Sequence, residues 1–479
     1  MAEENQFFRP VTDFCRRGVV TCGADDKLVD VVAIMRERNI SSIVVTAGDK
    51  PLGIFTDRDL RNKVVALGLD PNTLAVRDIM NAPLAVIRED DFLYEALYRM
   101  SRAGIHRLGV VDRQGALVGI ITDTDILKLQ AHSPHQLVLD IEKAETLDDL
   151  AVLHKRIEAL VVHLSGTNLQ TRDMVRLIAN LNDQILLRLI ALLRRERFAD
   201  LPEGFAFVVM GSEGRSEQTL STDQDNAIVY ADTLGADEVA QVEAFSQALI
   251  NALIEIGVPP CPGGIMAKNP EWRRSLGKWK GEISRWFDTP TPDNIMMGSM
   301  FVDLRLIYGD AALVEALKSH IFTHLAKDRG FIMRMAQNMM GFKPPLGWFG
   351  KIKSSSDPAH RGEIDIKKAG IFAITDGIKA LSLEAGKLDG GTLDRIDSLH
   401  AGGVLKSEMA EDLDASFEFL VHLRLRGHVE AVTEGRTTSN YIRLDELNRM
   451  ESARLHSALE GVARFQQFIQ HHFSLNLLR

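Results

Sequence analysis

The first 130 or so residues contain an internal repeat, and this repeat constrains the fold more than any other feature of the chain. The segment PLGIFTDRDL at 51–60 recurs as LVGIITDTDI at 117–126. An extended piece, a helical pattern and a strand rich in β-branched residues precede each copy. The order strand–helix–strand–strand–helix therefore occurs twice, which predicts two similar units packed as a pseudo-symmetric pair.

The repeat resembles a tandem of CBS modules, and VRDIMNAPLAVI at 76–87 looks like the opening of the family's second module. In that family the Thr and Asp of G-h-x-T-x-x-D can hold a nucleotide ribose. The resemblance implies that an adenine nucleotide binds at four positions: Thr56, Asp59, Thr122 and Asp125. It also implies a homodimer, because CBS pairs commonly assemble face to face.

The same four residues have a second interpretation that needs no ligand. A Thr hydroxyl at a strand end and an Asp in the next helical turn form an N-cap pair. Ligand binding and helix capping both remain open at this point.

Composition and charge restrict the class of protein. The 479 residues suggest two to four domains, at about 100–200 residues per domain. A net charge of −10 argues against a nucleic-acid partner, and we expect the small basic clusters LLRRERF and RLRGH to be solvated helix ends. Three cysteines without paired spacing, no apolar run of 18 residues and no secretory leader predict a cytoplasmic protein without a membrane segment.

Helical periodicity follows the repeat. AHSPHQ at 131–136 is typical of a linker, and residues 137–199 carry apolar residues at i, i+3, i+4 and i+7. We expect these helices to be a spacer between two functional parts. Residues from about 345 onward are again nearly all helical.

The stretch VVMGSEGRSEQTLSTDQDNAIVY at 208–230 carries the chemistry. An apolar strand ends in Gly211–Ser212, and Asp223 and Asp225 stand at period-2 spacing at the start of the next strand, so both should project from one face. Two carboxylates this close repel each other unless a cation lies between them, and oxygen ligands suit Mg²⁺ or Mn²⁺. The turn amides and the Ser212 hydroxyl suit the phosphates of a triphosphate.

This pattern resembles the nucleotidyltransferase fold of the DNA polymerase β superfamily, whose signature is h-G-[GS] followed by D-x-[DE]. The resemblance implies that Asp223 and Asp225 hold two metals. Asp303, in the apolar segment SMFVDLRLIYGD, would hold the catalytic metal and help to deprotonate the acceptor. Gly211 and Ser212 would contact the phosphates and Arg215 would steady them.

Nearby residues leave alternatives open. Lys268 is a candidate for phosphate or base contact. Glu217 is expected to pair with Arg215. Trp272, Trp279 and Trp286, spaced by seven, fit either a base-stacking surface or the core face of an amphipathic helix.

A narrower likeness covers most of the chain. The central block, GVPPCPGGIMAKNPEWRRSLGKWKGEISRW and IDIKKAGIFAITDGIKALSL look like the bacterial CBS-linked nucleotidyltransferases, relatives of PII uridylyltransferase and glutamine-synthetase adenylyltransferase. The implied fold is α+β and multidomain, with four parts: a tandem CBS pair of βαββα repeats at 1–135, a helical linker at 136–200, a polymerase-β-like mixed sheet at 201–345, and a C-terminal helical bundle at 346–479.

The expected activity is metal-dependent transfer of NMP from an NTP to a hydroxyl acceptor. The acceptor could be a regulatory protein, and an adenine nucleotide on the CBS pair would regulate transfer. Two alternatives stay open: a catalytically idle nucleotide sensor that docks on a partner, and an RNA nucleotidyltransferase, which the acidic net charge disfavours.

Overall fold

The structure is a computed structural model that describes residues 10–125, 134–166, 169–220, 223–347 and 351–477. The chain forms two compact units, Met1–Gln136 and Leu137–Arg479. Within the described residues, no helix combines the length and the apolar character that crossing a membrane requires.

The first unit contains the two repeats. Their elements are β1 (Thr21–Gly23), α1 (Leu28–Glu37), β2 (Ser42–Ala47) and β3 (Lys50–Thr56), then β4 (Val86–Arg88), α2 (Leu93–Ala103), β5 (Arg107–Val111) and β6 (Leu117–Thr122). In each repeat the first strand pairs parallel with the second, and the second pairs antiparallel with the third. The predicted strand–helix–strand–strand order is therefore confirmed. The last helix of the second repeat and residues 131–133 of the expected linker lie outside the described residues.

The repeats exchange the segments that precede them. Arg16, before the first repeat, bridges to Ile120 in β6, and Asn81, before the second repeat, bridges to Ile54 in β3. Each exchanged residue therefore bridges to the residue two positions before the Thr of the other repeat's T-x-x-D segment. Small separate cores fill the repeats, with Phe55 buried in the first and Ile121 in the second.

The second unit is built on a mixed sheet with the order β10-β7-β8-β9. Its strands are β7 (Phe205–Val209), β8 (Asn226–Tyr230), β9 (Arg273–Ser275) and β10 (Arg305–Gly309). The pair β8–β9 is parallel, and the other two pairs are antiparallel. This is the mixed sheet that the sequence predicts.

Helices surround the sheet. They are α3 (Pro134–Lys143), α4 (Leu147–Ser165), α5 (Thr171–Glu196), α6 (Ala236–Ile256), α7 (Leu276–Asp288), α8 (Pro292–Phe301), α9 (Ala311–Lys327), α10 (Gly330–Met339), α11 (Phe372–Glu384), α12 (Thr392–Ala401), α13 (Ser407–Thr433) and α14 (Arg449–His472). A two-stranded ribbon of β11 (Glu363–Asp365) and β12 (Tyr441–Arg443) lies among the C-terminal helices, and a π-helical turn, Lys367–Ile371, leads from β11 into α11.

Alternating residues of β7 face two different cores. Phe207 packs with α4, α5 and α6, whereas Val208 packs with the large C-terminal helical core. The helices at 136–200 are thus not a spacer, and that expectation was wrong. Their apolar stripe, for example Leu181 and Leu189, is fully buried against one side of the sheet, because a helix with one apolar face must bury it on a neighbouring layer.

Candidate active site

The turn after β7 brings the predicted phosphate loop to the carboxylate pair. Gly211 has φ +58°, and a Cβ there would lie 3.1 Å from a carboxylate oxygen of Asp225. The amide of Met210 donates to the carbonyl oxygen of Asp225 at 2.8 Å. Ser212 is half-buried in the same turn. Glycine is therefore required at 211, both for its backbone conformation and for the close approach of Asp225.

The two aspartates precede β8 and do not lie within it, since this strand begins at Asn226. Asp223 is exposed and Asp225 is half-buried. Burial raises the pKa of Asp225 and the charge of Asp223 adds to this, while a hydrogen bond from the Cys261 thiol and the charge of Lys367 oppose it. The pair is thus a concentration of negative charge in which Asp225 is partly desolvated, and this arrangement suits a cation site.

A third carboxyl group lies beneath the turn. Glu213 is 8% exposed, and its Oε2 atom has no hydrogen-bond partner among the described residues. Burial, together with the charges of Asp183 and Asp225, raises the pKa of Glu213 to about 8. At neutral pH this group is mostly protonated, so it adds little negative charge to the pair.

Buried cations from the C-terminal helices face the pair. Burial and repulsion by Arg424 and Arg215 lower the pKa of Lys367 to about 8, despite the attraction of Asp225 and Asp223. Burial and the charge of Arg215 lower the pKa of Arg424 to about 10. Among the described residues neither Lys367 nor Arg424 forms an ion pair. Three cations that repel one another in a desolvated site provide the charge that phosphate groups need.

The sequence interpretation missed Lys367 and misread Arg424. Arg424 begins the cluster RLRGH, which we expected to be a solvated helix end, yet it is only 8% exposed and its Nε donates to Asn440 Oδ1 at 2.8 Å. The only available signal was that Arg424 lies four residues from both Leu420 and His428. This spacing places a basic residue on the inner face of a strongly apolar helix. Nothing in the local pattern pointed from there to Asp223.

Asp303 lies elsewhere. It stands in the turn between α8 and β10, not in a strand, and its carboxylate is fully buried. Lys379 Nζ lies 2.8 Å away, Arg215 Nη1 2.6 Å and Arg395 Nη1 2.7 Å. Burial alone would raise the pKa of Asp303, but these three cations hold it well below its usual range.

The structure therefore does not gather the three predicted metal carboxylates. Asp223 and Asp225 lie together, whereas both carboxylate oxygens of Asp303 are occupied by cations. Among the described residues, no group of three or more His, Cys, Asp or Glu side chains is arranged to hold a metal ion. The metal role of Asp303 stays a prediction without geometric support.

Arg215 links the turn to this buried cluster. Its Nε donates to Glu217 Oε2 at 2.7 Å, the pairing that the sequence predicts, and its Nη1 donates to Asp303. Glu217 in turn accepts a hydrogen bond from the backbone amide of Thr392, at the start of α12. A Cβ at Gly214 would lie 2.0 Å from the carbonyl oxygen of Asp303. The turn is thus fixed to the C-terminal helices through charge and close packing.

Lys268 lies at the edge of the site. It follows residues 265–267, which hydrogen-bond to Asn226, the residue after Asp225: the Asn226 amide donates to the carbonyl oxygen of residue 265, and the amide of residue 267 donates to Asn226 Oδ1. Its side chain is half-buried and its carbonyl accepts from Arg273. Its contact with substrate stays a prediction.

The tryptophans are core residues. Trp272, Trp279 and Trp286 are at most 6% exposed, and their ring centroids lie 5.9–6.2 Å apart. Trp279 Nε1 donates to the carbonyl oxygen of Ile228 at 2.9 Å. Of the two interpretations left open, the structure shows the core: Trp279 and Trp286 lie on the buried face of α7, and Trp272 packs against them from a short turn before β9.

In the first unit both T-x-x-D segments form capping interactions. The Asp59 amide donates to Thr56 Oγ1 at 3.2 Å, and the Thr56 hydroxyl donates to Asp59 Oδ2 at 2.6 Å. Thr122 and Asp125 repeat this arrangement at 3.0 and 2.7 Å. The capping interpretation is thus confirmed, and ligand binding stays a prediction.

The exchanged segments supply further partners to these aspartates. Asn81 donates to Asp59 Oδ1 at 2.8 Å, and Lys63 lies 3.2 Å from the same oxygen. Burial would raise the pKa of Asp59, but hydrogen bonds from Thr56, Asn81 and Lys63 lower it. Arg16 Nε donates to Asp125 Oδ1 at 3.0 Å. The two half-sites therefore differ: the exchanged partner of Asp59 is neutral and that of Asp125 is cationic.

Comparisons with known proteins place all three regions. Residues 155–293 match the family model "Putative nucleotidyltransferase DUF294", and residues 329–473 match "Putative nucleotidyltransferase substrate binding domain". Residues 11–66 and 76–132 each match the CBS domain model.

Several proteins resemble the CBS region. An uncharacterized protein of Methanopyrus kandleri is 40% identical over 134 residues, 28% of this chain and 66% of its own. Hypoxic response protein 1 of Mycobacterium tuberculosis is 30% identical over 133 residues, 28% of this chain and 90% of its own. A solved CBS domain protein from Pyrobaculum aerophilum, complexed with AMP, is 22% identical, with 26% of this chain and 99% of that chain covered and a TM-score of 0.24.

The repeat, the glycine-serine turn with its carboxylate pair, and the helical C-terminus each match their own family model. The chain therefore belongs to the proteins that join a CBS pair to the families described as "Putative nucleotidyltransferase DUF294" and "Putative nucleotidyltransferase substrate binding domain".

Proposed function

We propose that the second unit transfers a nucleotidyl group from an NTP to a hydroxyl acceptor. The observation that carries the proposal is the opposition of charges at the turn: the carboxylate pair, with Asp225 half-buried, faces Lys367 and Arg424, which form no ion pair among the described residues. A triphosphate with a divalent metal would balance both sets at once.

The carboxylate pair fits Mg²⁺ or Mn²⁺, because its donors are oxygens and a cation would offset the cost of burying the charge of Asp225. Asp223 and Asp225 would hold the metal, which when bound supplies neutralisation of phosphate charge and lowers the pKa of the acceptor hydroxyl. We assign Asp303 an organising role, because its carboxylate is already occupied by Arg215, Lys379 and Arg395.

The protein residues contribute position and preorganised charge. Gly211 and Ser212 offer turn amides and a hydroxyl to the phosphates, and Arg215, Lys367 and Arg424 offset their negative charge. The acceptor oxygen forms a bond to the α-phosphorus, the bond from the α-phosphorus to the bridging oxygen breaks, pyrophosphate leaves, and the hydroxyl proton is released. Charge that is fixed before the reaction needs no reorganisation as pyrophosphate departs.

The acceptor and the regulation form the finer part of the proposal. The C-terminal helical domain would present the acceptor, which could be a hydroxyl on a regulatory protein, as the likeness to PII uridylyltransferase suggests. An adenine nucleotide at Thr56–Asp59 or Thr122–Asp125 would bias transfer, with the CBS pairs of two chains forming a dimer. Any such coupling is reciprocal, so NTP at the second unit must alter adenylate affinity equally.

The first test is calorimetric titration of ATP, GTP, UTP and AMP, with Mg²⁺, into wild type and Asp223→Asn/Asp225→Asn. We expect a magnesium-dependent triphosphate site that is lost in the double variant. Lys367→Met should weaken triphosphate binding about tenfold, as expected for loss of one charge-assisted contact. Lys368→Met is the matched control, because Lys368 is the exposed neighbour of Lys367 and its Nζ lies 3.7 Å from Asp365 Oδ2.

One observation favours a second candidate function, the idle nucleotide sensor. Within the part of the chain that the structure describes, no group of three or more His, Cys, Asp or Glu side chains is arranged to hold a metal ion. A single metal-independent adenylate site, unchanged in the double variant and without pyrophosphate release from any NTP, would support the sensor and refute the transferase.

A further inference from the structure

A cavity of about 360 Å³ lies in the second unit, between α5, the turn at 214–217, and the start of α12 and the middle of α13. Neither aspartate of the carboxylate pair lines it. Its volume falls in the range of small-molecule sites. The cavity is therefore a second candidate site, distinct from the carboxylate pair, although Arg215 borders both.

Most of the exposed lining is apolar. It comes from both family regions: Val175, Ala179, Leu393, Phe417 and Val421. Such walls favour a ligand with a compact apolar body, because each buried apolar group gains from leaving water. Asn180 lines the cavity from the exposed face of α5.

The lining arginines are already neutralised. Arg172 and Arg176 donate to Asp394 at 2.9 and 2.6 Å, Arg305 donates to Asp183 at 2.7 Å, and Arg215 donates to Glu217 at 2.7 Å. An anionic ligand would have to displace one of these carboxylates. The cavity is thus not an anion site, despite its four arginines.

Glu418 is the lining carboxylate that remains without an ion pair among the described residues. It is half-buried on α13, and Asp414, one turn earlier, has a buried carboxylate oxygen without a hydrogen-bond partner among those residues. Burial and the charge of Asp414 raise the pKa of Glu418 against the attraction of Arg172 and Arg454, and burial raises that of Asp414 against the attraction of Arg172. The lining group that lacks an ion pair among the described residues is therefore a carboxyl group and not a cation.

We propose that this cavity binds a small organic cation, with an ammonium or amidinium group on Glu418 and an apolar body against Phe417 and Val421. The occupant would touch the turn at 214–217, which carries Glu217 and its hydrogen bond to Thr392. A ligand here would thus contact the segment that continues from the phosphate loop.

Binding of benzamidine, an amidinium on an apolar ring, tests the proposal against benzamide, its neutral near-isostere. Titrations into the full-length protein without nucleotide should give a benzamidine Kd about tenfold lower than that of benzamide. Glu418→Gln should raise the benzamidine Kd about tenfold, and Asn180→Trp, which fills the opening, should abolish binding. Far-UV circular dichroism checks that each variant is folded.

Two variants separate this site from other effects. Glu158→Gln is the matched control, because Glu158 is also a glutamate whose pKa burial raises, but it does not line the cavity. Asp225→Asn should leave benzamidine binding unchanged, so failure of the transferase proposal would not affect this one. Equal affinity for the two compounds, an unchanged Kd in Glu418→Gln, or no saturable benzamidine binding would each overturn it.

Discussion

The three predicted metal carboxylates should behave differently when each is neutralised. We expect Asp303→Asn to destabilise the second unit strongly and Asp225→Asn to leave its stability nearly unchanged. In a metal-free triad of like charges, neutralising any one of the three carboxylates would instead leave stability unchanged or raise it, because it relieves repulsion at the other two. The contrast therefore tests whether Asp303 stabilises the fold or serves as a metal ligand.

The magnitude follows from the contacts of Asp303. Its side chain is 0% exposed, and Lys379, Arg215 and Arg395 lie within 2.8 Å, themselves 3%, 11% and 4% exposed. Removing one partner of a buried ion pair costs roughly 3–5 kcal/mol, because the remaining charge is left uncompensated. Asparagine keeps the shape but leaves three buried cations without this anion. For Asp225, whose charge burial already disfavours, we expect a change within about 1 kcal/mol.

Urea unfolding followed by tryptophan fluorescence provides the assay. All four tryptophans belong to the second unit, so this signal does not report on the CBS pair. Lys379→Met is the partner variant: the double variant Asp303→Asn/Lys379→Met should be less destabilised than the sum of the singles. The pKa of Asp303 lies below its ordinary value, so its contribution is present above about pH 4 and declines as the pH falls further.

A loss below about 1 kcal/mol in Asp303→Asn, well under the expected 3–5 kcal/mol, would refute the organising role. Additivity of Asp303→Asn and Lys379→Met would refute the direct pairing. Loss of Mg²⁺-dependent triphosphate binding in Asp303→Asn, with an unchanged free energy of unfolding, would instead support a metal-ligand role for Asp303.

Three further predictions use the same unfolding and binding assays. Burial and a neighbouring arginine lower the pKa of His428 to about 4, so wild type should lose roughly 3 kcal/mol as the pH falls from about 6.5 to 4, and His428→Gln should lose less. Gly214→Ala places a Cβ 2.0 Å from a backbone carbonyl oxygen, so it should lower the free energy of unfolding by at least about 1–3 kcal/mol. Gly281→Ala is the control: it lies in an open helical position and should be neutral or stabilising by about 0.5–1 kcal/mol. In calorimetry, Asp125→Ala should weaken AMP binding about tenfold. Arg16→Ala should preserve or strengthen AMP binding, because it frees the Asp125 carboxylate. An unchanged affinity in Asp125→Ala would leave Asp125 with only the capping role.

The elements that the sequence predicts correctly are those that local spacing determines. The repeat of T-x-x-D after a β-branched strand defines both CBS modules, and the spacing from Gly211 to Asp225 defines the turn and the pair. Both depend on residues within about twenty positions of one another, where strand period and turn chemistry act directly. The exact start of β8, one residue after Asp225, is a boundary that spacing alone does not determine.

Long-range charge pairing explains what could not be predicted. Lys367 and Arg424 reach Asp223 only after the C-terminal helices pack on the sheet, and an isolated basic residue on a helix is normally solvated. Asp303 sits in an apolar segment that suggests a strand, and only the packed structure reveals its three cationic partners. The packing of the helices at 136–200 could not be predicted either, because apolar periodicity predicts a helix but does not identify the surface that its apolar face covers.

The charge of the candidate active site is divided between the two family regions, and this division limits how they can act. The region that matches DUF294 supplies Asp223, Asp225 and Arg215, whereas the C-terminal region supplies Lys367 and Arg424. The buried cluster on Asp303 is divided in the same way, since Lys379 and Arg395 come from the C-terminal region. Separating the regions would therefore leave Asp303 with only Arg215 of its three cationic partners, and would remove Lys367 and Arg424 from the proposed phosphate site. Under the proposed function, the C-terminal domain would then complete the nucleotide site itself, in addition to any role in presenting an acceptor.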